Sequence, residues 1–181
     1  MNTSHSRYNA VSIALHWIMF LLIAATFTFI ELRVLFEKGT EARDAMKMWH
    51  FMLGLSIFFL VWLRIVVRIF TPYPAIEPAP KAWQHKIAKA VHGILYLFML
   101  GMPLGGWLIL SGEGKPIPFF GLELPALIEP NKELAHSVEE IHETVGAIGY
   151  WLIGLHAAAA LFHHYVIKDN TLTRMLPGKR K

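Results

Sequence analysis

Cysteine is absent from the chain. That excludes a disulfide scaffold, thiolate-held iron–sulfur clusters, zinc ribbons and thiol nucleophiles. Charge is scarce too. Only 17% of the 181 residues are Asp, Glu, Lys or Arg, against about 25% in an ordinary soluble domain. Apolar residues make up 55% and the mean hydropathy is +0.43, a balance that argues against a soluble globular protein. Internal repeats and low-complexity tracts are missing as well. The pI near 9.4 invites a nucleic-acid reading, but the basic residues flank apolar runs and form no stripe of their own, so no nucleic-acid partner is expected.

What is present is a set of four long apolar runs. Residues 11–30 carry no formal charge and one histidine, His16. Residues 48–67 are interrupted only by His50 and Arg64, and residues 87–110 by Lys89, His92 and Pro103. Residues 144–167 contain His156, His163 and His164 but no Asp, Glu, Lys or Arg. A bilayer core takes about 20 apolar residues at roughly 1.5 Å each, and every run meets that length. The first run is too long for a cleaved leader and lacks a small-residue cleavage site. The expected fold is therefore all-α: one domain over residues 1–181, a four-transmembrane-helix bundle in a lipid bilayer. Eleven of the 17 Lys and Arg fall on the side of the termini and the second loop, so the positive-inside rule predicts cytoplasmic N- and C-termini. Residues 71–80, with Pro72, Pro74, Pro78 and Pro80, read as a stiff extended connector. Residues 111–141 read as a long outer loop capping the bundle.

Ionisable residues in membrane spans are costly and mark functional sites. His142 and His156 are fourteen residues apart, which on one helix is about 21 Å of rise and within roughly 40° of the same face. They cannot share one metal ion, which argues against a zinc or copper site. Each can instead ligate its own planar cofactor, one toward each leaflet. Gly149 lies midway, and Gly146 and Ala160 follow the two histidines by four; small residues there would clear room for flat macrocycles. Depth then predicts partners: His16 shares the inner level with His156, and His50 the outer level with His142. Two imidazoles per iron leave no open position for oxygen, which favours electron transfer over oxygen activation. His92 has no partner at its level in this scheme and reads as a packing residue. His163 shares the face of His156 but lies nearer the interface, so His156 is preferred. His5 and His85 read as solvated interface residues, and His136 as a loop residue. Gly101, Gly105 and Gly106 read first as helix packing.

These residues resemble the bacterial cytochrome b561 family. The likeness is carried by His16-Trp17, by His50 opening the second span and by His142-Glu143 opening the fourth. It continues through Gly154-Leu155-His156, Ala160 and His163-His164-Tyr165, then Lys168-Asp169-Asn170-Thr171-Leu172, Arg174-Met175 and Pro177, and it covers essentially the whole chain. The resemblance implies a bacterial inner (cytoplasmic) membrane protein with two b-type haems per chain. His16 and His156 would be the axial iron ligands of one, His50 and His142 of the other. Within the family the likeness is greatest to members acting as superoxide:ubiquinone oxidoreductases, which implies superoxide as donor and ubiquinone as acceptor. Other members exchange electrons with a partner protein, so a non-catalytic transmembrane electron carrier is the alternative. A non-haem transporter using buried histidines is a third class, disfavoured by having only four spans and no intramembrane Asp/Glu relay. Lys47, Arg43, Lys115 and Arg33 would either form a basic mouth for superoxide or pair with nearby acids. Arg64 and Arg68 share a helix face and would meet either haem propionates or lipid phosphate. His163, His164 and Lys168 are candidates for proton delivery to a quinone, with interfacial anchoring the competing role.

Overall fold

The computed structural model describes residues 7–178, so His5 lies outside the described residues. Four helices dominate: α1 (Ala10–Leu32), α2 (Glu41–Phe70), α3 (Ala82–Gly112) and α4 (Lys132–Phe162). All four are long and apolar enough to cross a membrane. They run past the apolar windows because polar caps and charged turns extend each helix beyond the hydrocarbon. The Asn9 side chain accepts from Ser12 N at 2.6 Å, Thr40 caps α2, and Asn131 accepts from Leu134 N at 3.0 Å. Each satisfies an orphan amide of a first turn. α4 gains most, beginning at Lys132. His136 is consequently helical rather than in a loop, 3.6 Å from Glu140 one turn on. Hydropathy does not register that stretch because it is polar.

Large apolar side chains face outward along the helices, among them Trp151, Phe70 and Leu97. In water such exposure would drive association; against lipid it is the expected surface. Inside, Met19, Ile57 and Val61 form one buried cluster and Leu55, Leu110 and Ile117 another. Pairwise, α1 packs on α2, α2 on α3 and α3 on α4. The backbones of α4 and of the α1–α2 pair make no comparably close approach among the described residues. That asymmetry leaves side chains to bridge the gap.

Both ends of the bundle are closed. At the end opposite the termini, called the outer end after the orientation that the charges predict, a hairpin, β1 (Ile117–Phe119) and β2 (Leu122–Leu124), turns at Phe120 and Gly121. Both turn residues have positive φ, 48° and 85°, which suits the right-handed strand twist. Ile117 plugs in against Leu55 and Leu110, and Trp107 Nε1 donates to Pro125 O at 2.9 Å. Ser111 Oγ accepts from Leu127 N at 3.0 Å. The inner end is covered by the C-terminal segment. A π-helical turn (His163–Ile167) ends α4, Lys168 takes a left-handed conformation, and the chain folds back. Asn170 zips it to the α2–α3 connector: its N donates to Glu77 O at 3.1 Å, and its side chain bonds Glu77 N at 2.9 Å and Ala75 O at 3.2 Å. Trp17 Nε1 donates to Met175 O at 2.8 Å, tying the same segment to α1.

Candidate functional site

The unpacked side of the bundle is where the histidines meet. His16 from α1 faces His156 from α4 with ring centroids 6.3 Å apart. His50 from α2 faces His142 from α4, also at 6.3 Å. With metal–nitrogen bonds of about 2.0 Å each and ~1.1 Å from ring centre to nitrogen, two imidazoles on opposite sides of one metal sit roughly 6 Å apart. Both pairs have that spacing, and both lie edge-on, with planes at 71° and 76°.

Their other ring nitrogens are occupied or aimed elsewhere. His50 Nδ1 lies 3.0 Å from Thr26 O, an arrangement in which the backbone carbonyl accepts from Nδ1–H and leaves Nε2 with its lone pair. His142 Nδ1 is buried without a hydrogen-bond partner and lies against α3. A Cβ on Gly105 would come within 3.3 Å of it, and one on Gly106 within 3.6 Å of Cε1. These glycines therefore seat a side chain, whereas Gly101 has nothing near it. Arg64 Nη2 donates to His16 Nδ1 at 3.2 Å, and Arg64 Nη1 lies 3.4 Å from Ser12 O.

Two expectations are corrected. His92 is not isolated: its ring lies 5.3 Å from that of His156, so the inner level holds three imidazoles. Its Nδ1 is 2.6 Å from Ala88 O one turn back. His92 already lies within the apolar run of α3, but the sequence does not say which neighbouring helix its ring faces; the packing of α3 on α4 decides that. Gly149, in turn, does not open a free slot. A Cβ there would strike the Phe98 ring and lie 3.4 Å from Phe27. Those rings fill the level between the two pairs, with Phe27 also packed on Tyr150 at 4.4 Å. Gly146 meets Met102.

At the inner end, His163 is engaged by a carboxylate. Asp169, 4% exposed, accepts from His163 Nδ1 at 2.6 Å through one oxygen and from Thr171 N at 2.8 Å through the other. Burial by itself would raise the Asp169 pKa, but the bonds from His163 and Thr171 more than offset it and hold the carboxyl below its ordinary value. The spacing of six between these residues carries no helical signal, so only the folded-back segment exposes the partnership. His164 stacks edge-on with Tyr165 at 4.8 Å, and His85 is exposed. At the outer end the four cations are all engaged. Arg33 lies 3.9 Å from Glu143, Lys47 3.9 Å from Asp44 and Lys115 2.8 Å from Glu113. Arg43 donates to Arg33 O and Phe36 O.

Membrane-length helices holding imidazoles in facing pairs, one pair toward each end, define a membrane cytochrome of the b type. The donor set suits haem iron: each level offers two facing imidazoles at the spacing one iron spans, and the chain has no thiolate to compete. The comparisons with known proteins agree. Residues 7–178 match the model for prokaryotic cytochrome b561, and the chain belongs to that family. It is 39% identical over 175 residues to cytochrome b561 homolog 1 of Escherichia coli, covering 97% of this chain and 99% of that protein. Identity to the probable superoxide oxidase CybB of Yersinia pestis is 38%, over 97% and 99% of the two chains. A cytochrome b562 of Cereibacter sphaeroides is 26% identical over 96% and 98%. The chain is thus a multi-pass bacterial membrane protein of a family that binds b-type haem and carries electrons.

Proposed function

We propose that this protein is a dihaem cytochrome of the bacterial inner membrane that oxidises superoxide to oxygen at its outer face and passes the electrons to ubiquinone. The observation that carries the reading is the pair of 6.3 Å imidazole contacts, His16–His156 and His50–His142, at two levels of one bundle. On this reading the termini are cytoplasmic, the whole chain is one domain, and the four histidines are the axial ligands. Bound haem supplies reversible one-electron chemistry at each level.

The rest belongs to the chain's own residues. The Thr26 carbonyl accepts a hydrogen bond from His50 Nδ1–H, which orients the ring and raises the basicity of Nε2. Gly105 and Gly106 give the His142 ring its place on α3. Phe27 and Phe98 fill the space between levels and exclude water there. Two superoxide anions each lose one electron and leave as oxygen; one ubiquinone gains two electrons and two protons. The substrate assignment draws on the 38% identical relative named a probable superoxide oxidase. Three of the outer cations, Arg33, Lys47 and Lys115, are held in ion pairs at the surface, each worth about 0–1 kcal/mol, so an arriving anion has little to displace there.

That same pairing favours a second reading. A surface on which Arg33, Arg43, Lys47 and Lys115 are already matched with acids or carbonyls suits a docked partner protein, making the chain an electron carrier between the quinone pool and that partner.

The test is a reduced-minus-oxidised spectrum with haem counted per chain, followed by superoxide-driven ubiquinone reduction by the isolated protein. Two low-spin b haems are expected, falling to one in His16→Ala and one in His50→Ala. Turnover with superoxide supports the oxidase. Two haems without turnover support the carrier, and no haem after ample supply sinks both.

A further inference from the structure

The inner end holds a second feature that the ligand pairs leave unexplained. Arg174 is 7% exposed, yet among the described residues no carboxylate lies within 4 Å of it. One nitrogen donates to Pro74 O, and its plane lies over Tyr8 at 5.5 Å. Its Nε has no partner at all. The acid whose charge acts on Arg174 is Asp169, but its oxygens accept from His163 and Thr171. A buried guanidinium in this position lacks its counter-anion.

It is not alone. Arg68 lies over Tyr73 at 4.5 Å, and Tyr73 meets Tyr8 edge-on at 6.3 Å, so two guanidiniums and two phenols form one connected group. Arg64 stands one turn from Arg68 on α2, bonded to His16. Trp17, whose ring lies 5.4 Å from that of His16, donates to Met175 O at 2.8 Å, so the segment that carries Arg174 is tied beside the same imidazole that Arg64 contacts. Glu77 and Asp169 are the acids at this end. Glu77 takes part through its backbone in the bonds to Asn170.

We propose that Arg64, Arg68 and Arg174 form a clamp for the two propionate carboxylates of the inner haem, with Arg174 delivered by the folded-back C-terminal segment. This rests on the assignment of haem to His16 and His156. Arginine suits the role because its planar fork pairs with carboxylates and is always charged. The tautomer chemistry of His16 points the same way. An imidazole bound to iron through Nε2 keeps its proton on Nδ1, and Arg64 has only donors to offer it. Two donors then face each other, so loading the site releases Arg64 toward an anion. A phosphate headgroup would satisfy the same cations, but the burial of Arg174 beneath Tyr8 and Pro74 favours a carboxylate arriving from between the helices.

The experiment uses full-length protein stripped of haem and reloaded with haem b or with its dimethyl ester, which lacks the propionate charges. Haem loss to apomyoglobin is followed for wild type, Arg174→Gln and Arg174→Lys, in nanodiscs of neutral lipid and of neutral plus anionic lipid. With haem b, one of the two haems should leave at least tenfold faster from Arg174→Gln than from wild type, with Arg174→Lys in between. With the dimethyl ester the three proteins should behave alike. The haem that stays serves as the folding control. Equal loss rates with haem b overturn the clamp. So does a difference that survives with the ester, which would mean Arg174 acts only by holding the terminal segment. A difference confined to anionic lipid assigns the cations to headgroups and also overturns it. Two haems in wild type, with both retained in His16→Ala, would instead overturn the ligand assignment beneath it.

Discussion

Replacing Asp169 with alanine should release the C-terminal segment while leaving the membrane bundle intact. The carboxylate accepts two hydrogen bonds, from His163 Nδ1 at 2.6 Å and Thr171 N at 2.8 Å. A donor orphaned in the interior costs about 1–3 kcal/mol. His163 is 21% exposed at its side chain and Thr171 is half-buried, so water reaches both donors in part. The lower half of that range applies, about 2–4 kcal/mol for the two together. At roughly 1.4 kcal/mol per decade, the segment opens about 30- to 700-fold more often. Trypsin reports this directly, because Arg174 is buried when the segment is docked and cleavage tracks the open population when closing is fast. Cutting after Arg174 should accelerate by that factor at constant Tm of the bundle. The pH dependence has a definite sign. The Asp169 pKa is lowered from its ordinary 3.8 in the folded protein, so its charge stabilises docking fully above that pH. The contribution fades as the pH falls through the lower folded value. Cleavage within threefold of wild type would refute the reasoning and leave the segment held by the Asn170 bonds, Trp17 and Arg174.

Other outcomes follow from the same geometry. Ser111, 1% exposed, accepts from Leu127 N, so Ser111→Ala should cost about 1–3 kcal/mol, read as faster amide exchange at Leu127 and in the neighbouring outer loop. The His92–His156 separation of 5.3 Å is too short for two imidazoles straddling one metal. His92→Ala should therefore keep the haem count of wild type, while His156→Ala loses one; a lost haem in His92→Ala would make His92 the ligand in place of His16.

How much of this was readable beforehand differs from residue to residue. The spans, the bundle class and the His142–His156 spacing were legible because they depend on local quantities: apolar length against bilayer thickness, and rise per residue along a single helix. The depth match of His16 with His156 and of His50 with His142 followed from the same arithmetic, since helices crossing one bilayer share a common ruler. His92 escaped it because depth along one helix does not say which neighbour a ring faces, and the packing of α3 on α4 settles that. Gly149 was misjudged for another reason: a missing side chain marks space, but not which neighbour fills it, and Phe98 is fifty-one residues away.

The inner cap lay furthest from view. Its contacts join Tyr8, Pro74, Asp169 and Arg174, segments brought together only once four helices have set the positions of their ends. Sequence by itself determined what had to lie in lipid and that His142 and His156 stood at two depths of one face, because both are consequences of one helix in one solvent. Tertiary structure alone decided which charges are buried, which are paired and which guanidinium is left without an anion, because those depend on distances between residues that the chain order keeps far apart.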